Sequence, residues 1–454
     1  MRRICFVQVV VLAGLAVQGW AAEAPEIGER VSISLTPPVL ERLAEEMRTN
    51  NPALRAAGAR VDAAEASLAG VRTWDDPMVV MGGQFADTAM RADEGDLLYG
   101  VEQRLPLFGK PGQRRAQARE EAEVERLSGG SKFEGLRRDL VQSLVAVAFA
   151  HRVVEAGEED LRWLEATVAT VEQRYRVGES PQVYLLRLQN ERARRQQQLA
   201  TDRLRVLESQ ATVNRLLGRP VDSPWPRIEL PPPAGEIRYD ERLVRLAVAN
   251  EPRLRVLRQQ VRAADAAVAV SRRERYPEVA VGAEGRNYTG NGDFRQAMVR
   301  LSVSLPWLND GKYRQDVRRD LARRQAAELD VSDAELAVRE DVRRLTVGLD
   351  AARRDALLYR DEILPRSTQA LASAEASWAA NRAVFLDVME ARRMLVEARL
   401  EYARAVAEQY RLFAELVLCC GLGELGALEM IGAEPEPVTR PSTPQPAPPS
   451  PTQP

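Results

Sequence analysis

Two acidic side chains lie three residues apart near the end of the chain, in the segment Asp387-Val388-Met389-Glu390. Residues at positions i and i+3 share one face of a helix, so Asp387 and Glu390 would point the same way. Such a pair can be an ordinary solvated feature of a helix surface, or it can favour cations and oppose anions if it lines a narrow passage. The role of the pair therefore depends on whether other elements of the chain build a passage.

The other reactive side chains form no recognisable catalytic or metal-binding set. His151 is the only histidine, and Cys419 and Cys420 are adjacent in a helical segment, where the geometry disfavours a mutual disulfide. Metal sites need several ligands at characteristic spacings. Gly109-Lys110 and Gly311-Lys312 lack the glycine spacing and the following Ser or Thr of a phosphate-binding loop. The sequence predicts no enzyme, no metal site and no cofactor, with His151 in a surface or packing role.

Composition limits the possible partners. The chain has 64 basic and 66 acidic residues among 454, a formal net charge of -2. No overall attraction to nucleic acid or to anionic lipid follows from this balance.

The N-terminus has the pattern of a secretory signal. Arg2 and Arg3 precede an apolar stretch from Ile4 to Val17, which is short for a membrane-spanning helix. We assign residues 1–24 to a signal peptide, with cleavage after Ala21 or Ala24. No later run of eighteen apolar residues is evident, so membrane contact is expected from strands or from an interfacial surface.

The chain repeats itself. Asn50-Asn51-Pro52 and Asn250-Glu251-Pro252 open segments that reach Leu105-Pro106 and Leu305-Pro306, a constant offset of 200 residues. The order of the landmarks never changes afterwards, although the offset grows by three residues. Two copies of one supersecondary unit are therefore predicted, the first over residues 37–218 and the second over residues 237–421.

Each copy is predicted to contain a helical hairpin of unusual length. Between Gly109 and Val177 the only proline is Pro111, in the first turn, which indicates a helix of about 100 Å. Gly129-Gly130 and Gly135 could interrupt it. Gly178 is predicted to end this helix, and a return helix is expected to start with Ser180 as its cap and to run to Leu217-Gly218.

The return helix of the second copy carries a seam with coiled-coil spacing, which we interpret as core packing against a neighbouring helix. Its members are Leu386, Met389, Arg393, Val396, Leu400, Ala403, Ala407, Tyr410, Ala414 and Val417.

Between the first helices and the long helix, the period of the pattern changes to two. The segments 77–87, 96–105, 277–288 and 294–305 each have about the length of a tilted transmembrane strand. In the last of them Val299, Leu301 and Val303 alternate with Arg300 and Ser302. Each copy is thus predicted to contribute one β-hairpin with one apolar and one polar face.

Four strands are too few to close a membrane barrel, which starts at about eight strands in a single chain. Either the strands form a sheet within a soluble domain, or several chains combine their hairpins in one barrel.

Two proline-rich segments complete the chain. Residues 219–236 are predicted to be an extended outer linker, and residues 422–454 a disordered tail.

These features resemble the TolC family of outer-membrane efflux proteins. The segment from Val101 to Lys110, VEQRLPLFGK, is similar to the strand-to-helix junction of the family's cation-efflux branch, and Val303 to Leu308 repeats it. Tyr175-Arg176-Val177-Gly178 is similar to the family's periplasmic tip turn. The resemblance covers nearly all of the mature chain.

The resemblance implies a mainly α fold with a membrane β-barrel portion. Three copies would form a twelve-stranded barrel in outer-membrane lipid and an α-helical tunnel in the periplasm. Such a protein is a passive exit duct of a tripartite efflux system, for solutes such as metal cations or drugs. Its partners are a periplasmic adaptor and an inner-membrane pump.

The resemblance also suggests roles for individual residues. The adaptor would contact the tip turns at Gly178, Glu179, Ser180, Asn381 and Arg382. Asp387 and Glu390 match the family's acidic periplasmic constriction, so that a trimer would gather six carboxylates. The family's acidic latch position falls on Tyr184, and Arg382 lies one place from the matching arginine, so the sequence assigns no latch between the copies.

Two alternatives stay open at this point. One is an exit duct for type I secretion, with protein as the cargo. The other is a periplasmic coiled-coil interaction protein without a pore, which would give no reason for four strands of membrane length.

Overall fold

The computed structural model describes residues 32–71, 74–84, 96–289 and 292–421. The assigned signal peptide, the proline-rich tail and most of the first strand connection lie outside these ranges.

The two copies follow the same order of elements. The first comprises β1 (Ser32–Ser34), α1 (Pro37–Asn50), α2 (Pro52–Gly70), β2 (Met78–Gln84), β3 (Asp96–Leu105), α3 (Lys110–Arg176) and α4 (Gln182–Leu217). After β4 (Arg227–Glu229) the second comprises α5 (Glu241–Asn250), α6 (Pro252–Glu274), β5 (Val279–Tyr288), β6 (Phe294–Val303), α7 (Asp310–Leu358), a π-helical turn (Tyr359–Ile363), α8 (Leu364–Ala379) and α9 (Phe385–Cys420).

The same joint in each copy explains why Asn50-Asn51-Pro52 recurs as Asn250-Glu251-Pro252. In the first copy Oδ1 of Asn51 accepts hydrogen bonds from the backbone at the start of α2, and its Nδ2 donates to the Leu216 carbonyl at 2.7 Å. Gly218 follows in the left-handed region at φ 72°, where a Cβ would lie 2.6 Å from the Asn50 carbonyl oxygen. Gly421 stands in the same relation to Asn250. Each return helix therefore ends against the break between the two short helices.

Helix α3 is continuous over 67 residues, so the interruption considered at Gly129-Gly130 or Gly135 does not occur. The second copy is interrupted instead, since a π-helical turn separates α7 from α8 just before Pro365. Proline has no N–H to donate to the preceding turn, which is consistent with altered winding there.

Part of α3 is long and apolar enough, by length and composition alone, to cross a membrane, and it is the one such helix among the described residues. No such run was predicted from the sequence. Leu140, Leu144, Val147 and Ala148 of this helix are nevertheless buried in the core of the first copy, together with residues of α1 and α4. Helix packing therefore covers part of the apolar stretch, of which 39% is buried.

Two details of the return helices differ from expectation. Helix α4 begins at Gln182, with the extended residue Pro181 before it, and Ser180 does not cap it. Val396, Ala403 and Ala414 of the predicted α9 seam are buried, but most of the buried positions of this helix lie one residue earlier than predicted. The buried positions include Phe385, Val388, Leu395, Val406, Phe413 and Leu416, whereas Leu386 is 56% exposed. Two adjacent stripes of α9 have coiled-coil spacing, and the larger side chains of the earlier stripe form the core.

The four long strands form one antiparallel sheet in the order β2-β3-β5-β6. All four lie close to the predicted segments, and the hairpins of the two copies join through β3 and β5, where Leu105 is paired with Val279. Within the described residues β2 and β6 are open edges.

The linker over residues 219–236 is more ordered than the extended outer segment predicted from the sequence. Its strand β4 pairs in parallel with β1, and Ile228 is only 1% exposed in the core of the first copy. Strands of three residues are too short for a periodic pattern, so neither was predicted.

Candidate functional site

The tip turns of the two copies have the same backbone structure. In the first, Gly178 is left-handed, and the N–H of Glu179 donates to the Arg174 carbonyl at 2.8 Å. In the second, Asn381 is left-handed at φ 53°, and the N–H of Arg382 donates to the Ser377 carbonyl at 2.8 Å. This six-to-one hydrogen bond is the Schellman arrangement that ends a helix. Ser180, between Glu179 and α4, is half-buried, whereas the other four predicted contact residues are exposed.

Aromatic side chains pack the two helical hairpins together just behind the turns. The ring of Phe385 lies 5.9 Å from that of Tyr184 and 5.2 Å from that of Trp378. The Arg174 guanidinium stacks over Trp378 at 4.2 Å. Phe385 is 3% exposed in a cluster with Leu185 and Leu188, so the tips of the two copies form one packed unit.

The predicted acidic pair lies on the face of α9 opposite this packing. Asp387 and Glu390 are both exposed, while Val388 between them is 1% exposed. Neither carboxylate forms an ion pair within the described part of the chain. The pair therefore adds two unneutralised negative charges to one helix face, next to the tip.

At the position of the family latch the structure has an apolar contact. Tyr184 is half-buried against Phe385, and Arg382 is exposed without an ion pair to any described residue. These two residues do not form a polar link between the copies.

A polar link that was not predicted from the sequence lies a short distance further along the helices. Oδ1 of Asp160 in α3 accepts a hydrogen bond of 3.0 Å from Nε of Arg392 in α9. Nε of Arg195 in α4 lies 2.7 Å from Oδ2 of the same carboxylate. Asp160 and Arg392 are 5% and 9% exposed. One buried carboxylate thus joins the return helices of both copies to α3.

Trp163 strengthens the same junction. Its indole N–H donates to Oε1 of Glu375 in α8 at 3.1 Å, and the Arg392 guanidinium lies 5.2 Å from its ring. Helix α9 is held on one side by this junction, while its other side displays Asp387 and Glu390. The sequence does contain a signal for this junction. Asp160 lies in register with the buried residues Gly157 and Leu164, so it is a charged residue within a buried seam.

The four-stranded sheet separates two chemically different faces. One carries apolar side chains that are largely exposed, among them Met81 at 77%, Val299 at 83% and Leu301 at 66%. The other carries Glu102, Arg104, Glu284 and Arg300 together with glycines, as the strand register requires. Apolar side chains facing outwards and polar ones facing inwards are the pattern of a membrane-spanning strand.

His151 and the cysteines have packing roles. Nδ1 of His151 accepts a hydrogen bond of 3.1 Å from the Ile228 backbone, and burial lowers the pKa of the imidazole. Burial raises the pKa of the Cys419 and Cys420 thiols to about 12. Among the described residues no group of three or more potential metal ligands exists.

Lys110 is buried, and its Nζ lies 3.6 Å from the carboxylate of Glu274 and 3.3 Å from that of Glu278. It thus anchors the start of α3 on the end of α6.

The sequence pattern of the family described as "Outer membrane efflux protein" matches residues 43–219 and 243–422. Together with the sheet and the helical hairpins, this match defines an outer-membrane efflux channel. The chain belongs to the outer membrane efflux protein family. It is an outer-membrane protein with a helical periplasmic part, and it is not an enzyme. No curated protein matches the chain.

Solved outer-membrane channels share the fold. CusC has a TM-score of 0.75 at 15% identity over 86% of this chain and 93% of that one. The outer-membrane channel OprN has 0.73 at 19% identity, covering 85% and 90%. VceC of Vibrio cholerae has 0.71 at 17% identity, covering 85% and 97%.

Proposed function

We propose that three copies of this chain assemble into a passive exit duct for solutes across the outer membrane. The observation that carries this proposal is the four-stranded sheet, which has an exposed apolar face and two open edges and continues directly into long helical hairpins. An open edge in lipid leaves backbone N–H and C=O groups unpaired, at several kcal/mol for each group. Pairing β6 of one copy with β2 of the next removes these edges.

The polar face favours three copies over two. Two copies would give eight strands, a size at which side chains fill the interior of a barrel. Three copies give twelve strands and a wider interior. Gly82, Gly100 and Gly282 all lie on the polar face, where small residues leave space.

The helices would continue the barrel as a periplasmic tunnel. At its far end Asp387 and Glu390 of the three copies would form the narrow entrance, and six carboxylates would favour cations there. Nothing in this arrangement supplies energy, so an inner-membrane pump must deliver the solute. A periplasmic adaptor would connect the pump to this channel at the tip turns, through Gly178, Glu179, Ser180, Asn381 and Arg382.

The assembly is tested by membrane fractionation and electrophoresis. We expect a heat-sensitive oligomer of three chains in the outer-membrane fraction, with stepwise conductance after reconstitution into planar bilayers. A periplasmic protein that remains monomeric, or an oligomer without conductance, would exclude the duct.

The tip contact is tested separately with a photoreactive residue at position 179. We expect it to crosslink to the adaptor in cells, whereas the same residue at Glu65, exposed on α2, should not. Equal crosslinking at both positions would contradict a contact at the tip.

A further inference from the structure

The polar face of the sheet contains a deeply buried carboxylate. The Glu284 side chain on β5 is only 4% exposed, although it belongs to a sheet with one polar and one lipid-type face. Nη2 of Arg300 on β6 lies 2.7 Å from its Oε1 and 2.9 Å from its Oε2. Since an unpaired buried carboxylate costs several kcal/mol, this contact fixes the position of Arg300.

Glycine on the neighbouring strand makes the arrangement possible. Gly100 of β3 lies opposite Glu284, and a Cβ there would lie 2.7 Å from Cγ of Glu284. Gly282 lies opposite Arg300 and also opposite Glu102. The glutamate therefore leans over the backbone of β3, and the residue directly opposite Arg300 has no side chain.

The two partners are exposed to very different degrees. The Arg300 side chain is 48% exposed, compared with 4% for Glu284. A guanidinium has five N–H donors in a planar fork, and the contact with Glu284 uses only Nη2. The Glu284–Arg300 pair has no net charge, but its solvent-exposed part is the Arg300 guanidinium.

We propose that Arg300 determines charge selectivity in the barrel lumen, by binding carboxylate or phosphate groups of passing solutes. This proposal rests on the barrel of the proposed function, in which the polar face lines the lumen. One Arg300 guanidinium from each of the three copies would then face the passage, beside Glu102 and Arg104 of the same face. Planar donors that match a carboxylate or phosphate bidentately are the usual means of recognising such groups. The lumen would thus favour anions, whereas the acidic pair at the tip would favour cations.

The test compares permeability ratios of reconstituted channels in a potassium chloride gradient. Arg300→Gln should raise the cation-to-anion permeability ratio on the order of threefold, the effect of one charge acting across a few ångströms of water. Arg300→Lys keeps the charge and should leave the ratio near its original value. Added inorganic phosphate should slow chloride passage through the original channel more than through Arg300→Gln.

Arg300→Gln strands a buried carboxylate, so a second variant protects the test against misfolding. The double variant Arg300→Gln with Glu284→Gln leaves no buried charge at this pair and should still raise the ratio, because it removes the exposed cation. An unchanged ratio in conducting channels of the double variant would overturn the proposal while leaving the duct intact. Failure of the unmodified protein to conduct would instead contradict the proposed function.

Discussion

Asp160 of the first copy accepts a buried hydrogen bond of 3.0 Å from Arg392 of the second. The two residues lie on helices α3 and α9, separated by 232 positions in the chain. Arg392 follows Glu390 by two residues on the same helix. The buried face of α9 is thus tied to the first copy at the level where its exposed face carries the acidic pair.

Replacement of Asp160 by Asn should destabilise this junction. The two arginines would keep their charges beside a neutral amide, and breaking a buried ion pair by removing one partner typically costs about 3 kcal/mol. We expect a lower midpoint of thermal unfolding, measured by helical circular dichroism in detergent. We also expect more frequent transitions to higher conductance in bilayers, because α9 would lose its link to α3.

The control for this prediction is Arg404→Gln. Arg404 pairs with Glu401 on the surface of α9, with 62% of its side chain exposed, and exposed pairs contribute at most about 1 kcal/mol. Equal effects of the two substitutions would show that the Asp160 junction has no special role.

Removal of the acidic pair should change ion selectivity. In Asp387→Ala with Glu390→Ala, six carboxylates disappear from the proposed trimeric entrance, so we expect reduced cation selectivity. The measurement is the reversal potential in bilayers under a salt gradient. Glu65→Ala is the control, since Glu65 is exposed on α2 and is not part of the tip. Unchanged reversal potentials in the double variant would rule out the pair as part of the constriction.

The fold was largely predictable because its signals are long and occur twice. A proline-free helix, four alternating segments and landmarks at a constant offset each extend over many residues, so a local error changes little. Short features gave weaker signals. Strand β4 has three residues in a proline-rich segment, and nothing in its pattern indicates that Ile228 is buried.

The site was less predictable than the fold. The first tip turn was located from the turn chemistry of Gly178 and the second from its counterpart Asn381 in the repeat, and both residues are left-handed. The Asp160 junction joins residues far apart in sequence, and the second copy does not repeat it. The seam of α9 was only partly located because two adjacent stripes of this helix both have coiled-coil spacing, and the choice between them depends on where the neighbouring helices lie.

The single histidine should make stability dependent on pH. Because burial lowers the pKa of His151 in the folded protein, the neutral form is the one that folding favours. Its contribution is fully present above the unfolded pKa and is lost as the pH falls through the lower folded pKa. Protonation would also end the acceptance of the Ile228 hydrogen bond by Nδ1, close to Arg227.

We therefore expect the unfolding midpoint to fall between pH 7.5 and pH 5 by more in the original protein than in His151→Asn. The amide oxygen of Asn can accept a hydrogen bond but does not titrate in this range. Thermal unfolding of both proteins at several pH values provides the measurement. Parallel pH profiles would assign the acid sensitivity to other groups.

Gly218 should be far less tolerant of substitution than a glycine within α3. Its φ of 72° lies in the left-handed region, and a Cβ would lie 2.6 Å from the Asn50 carbonyl oxygen. Gly218→Ala should therefore destabilise the protein by about 2 kcal/mol, through backbone strain and this close approach. Gly130→Ala is the matched control, because no atom lies within 4 Å of a Cβ there and the residue is helical. It should stabilise the helix by about 0.5–1 kcal/mol. Chemical denaturation of the detergent-solubilised protein distinguishes the two, and a shift of the same sign for both would show that the joint at Asn50 does not constrain the end of α4.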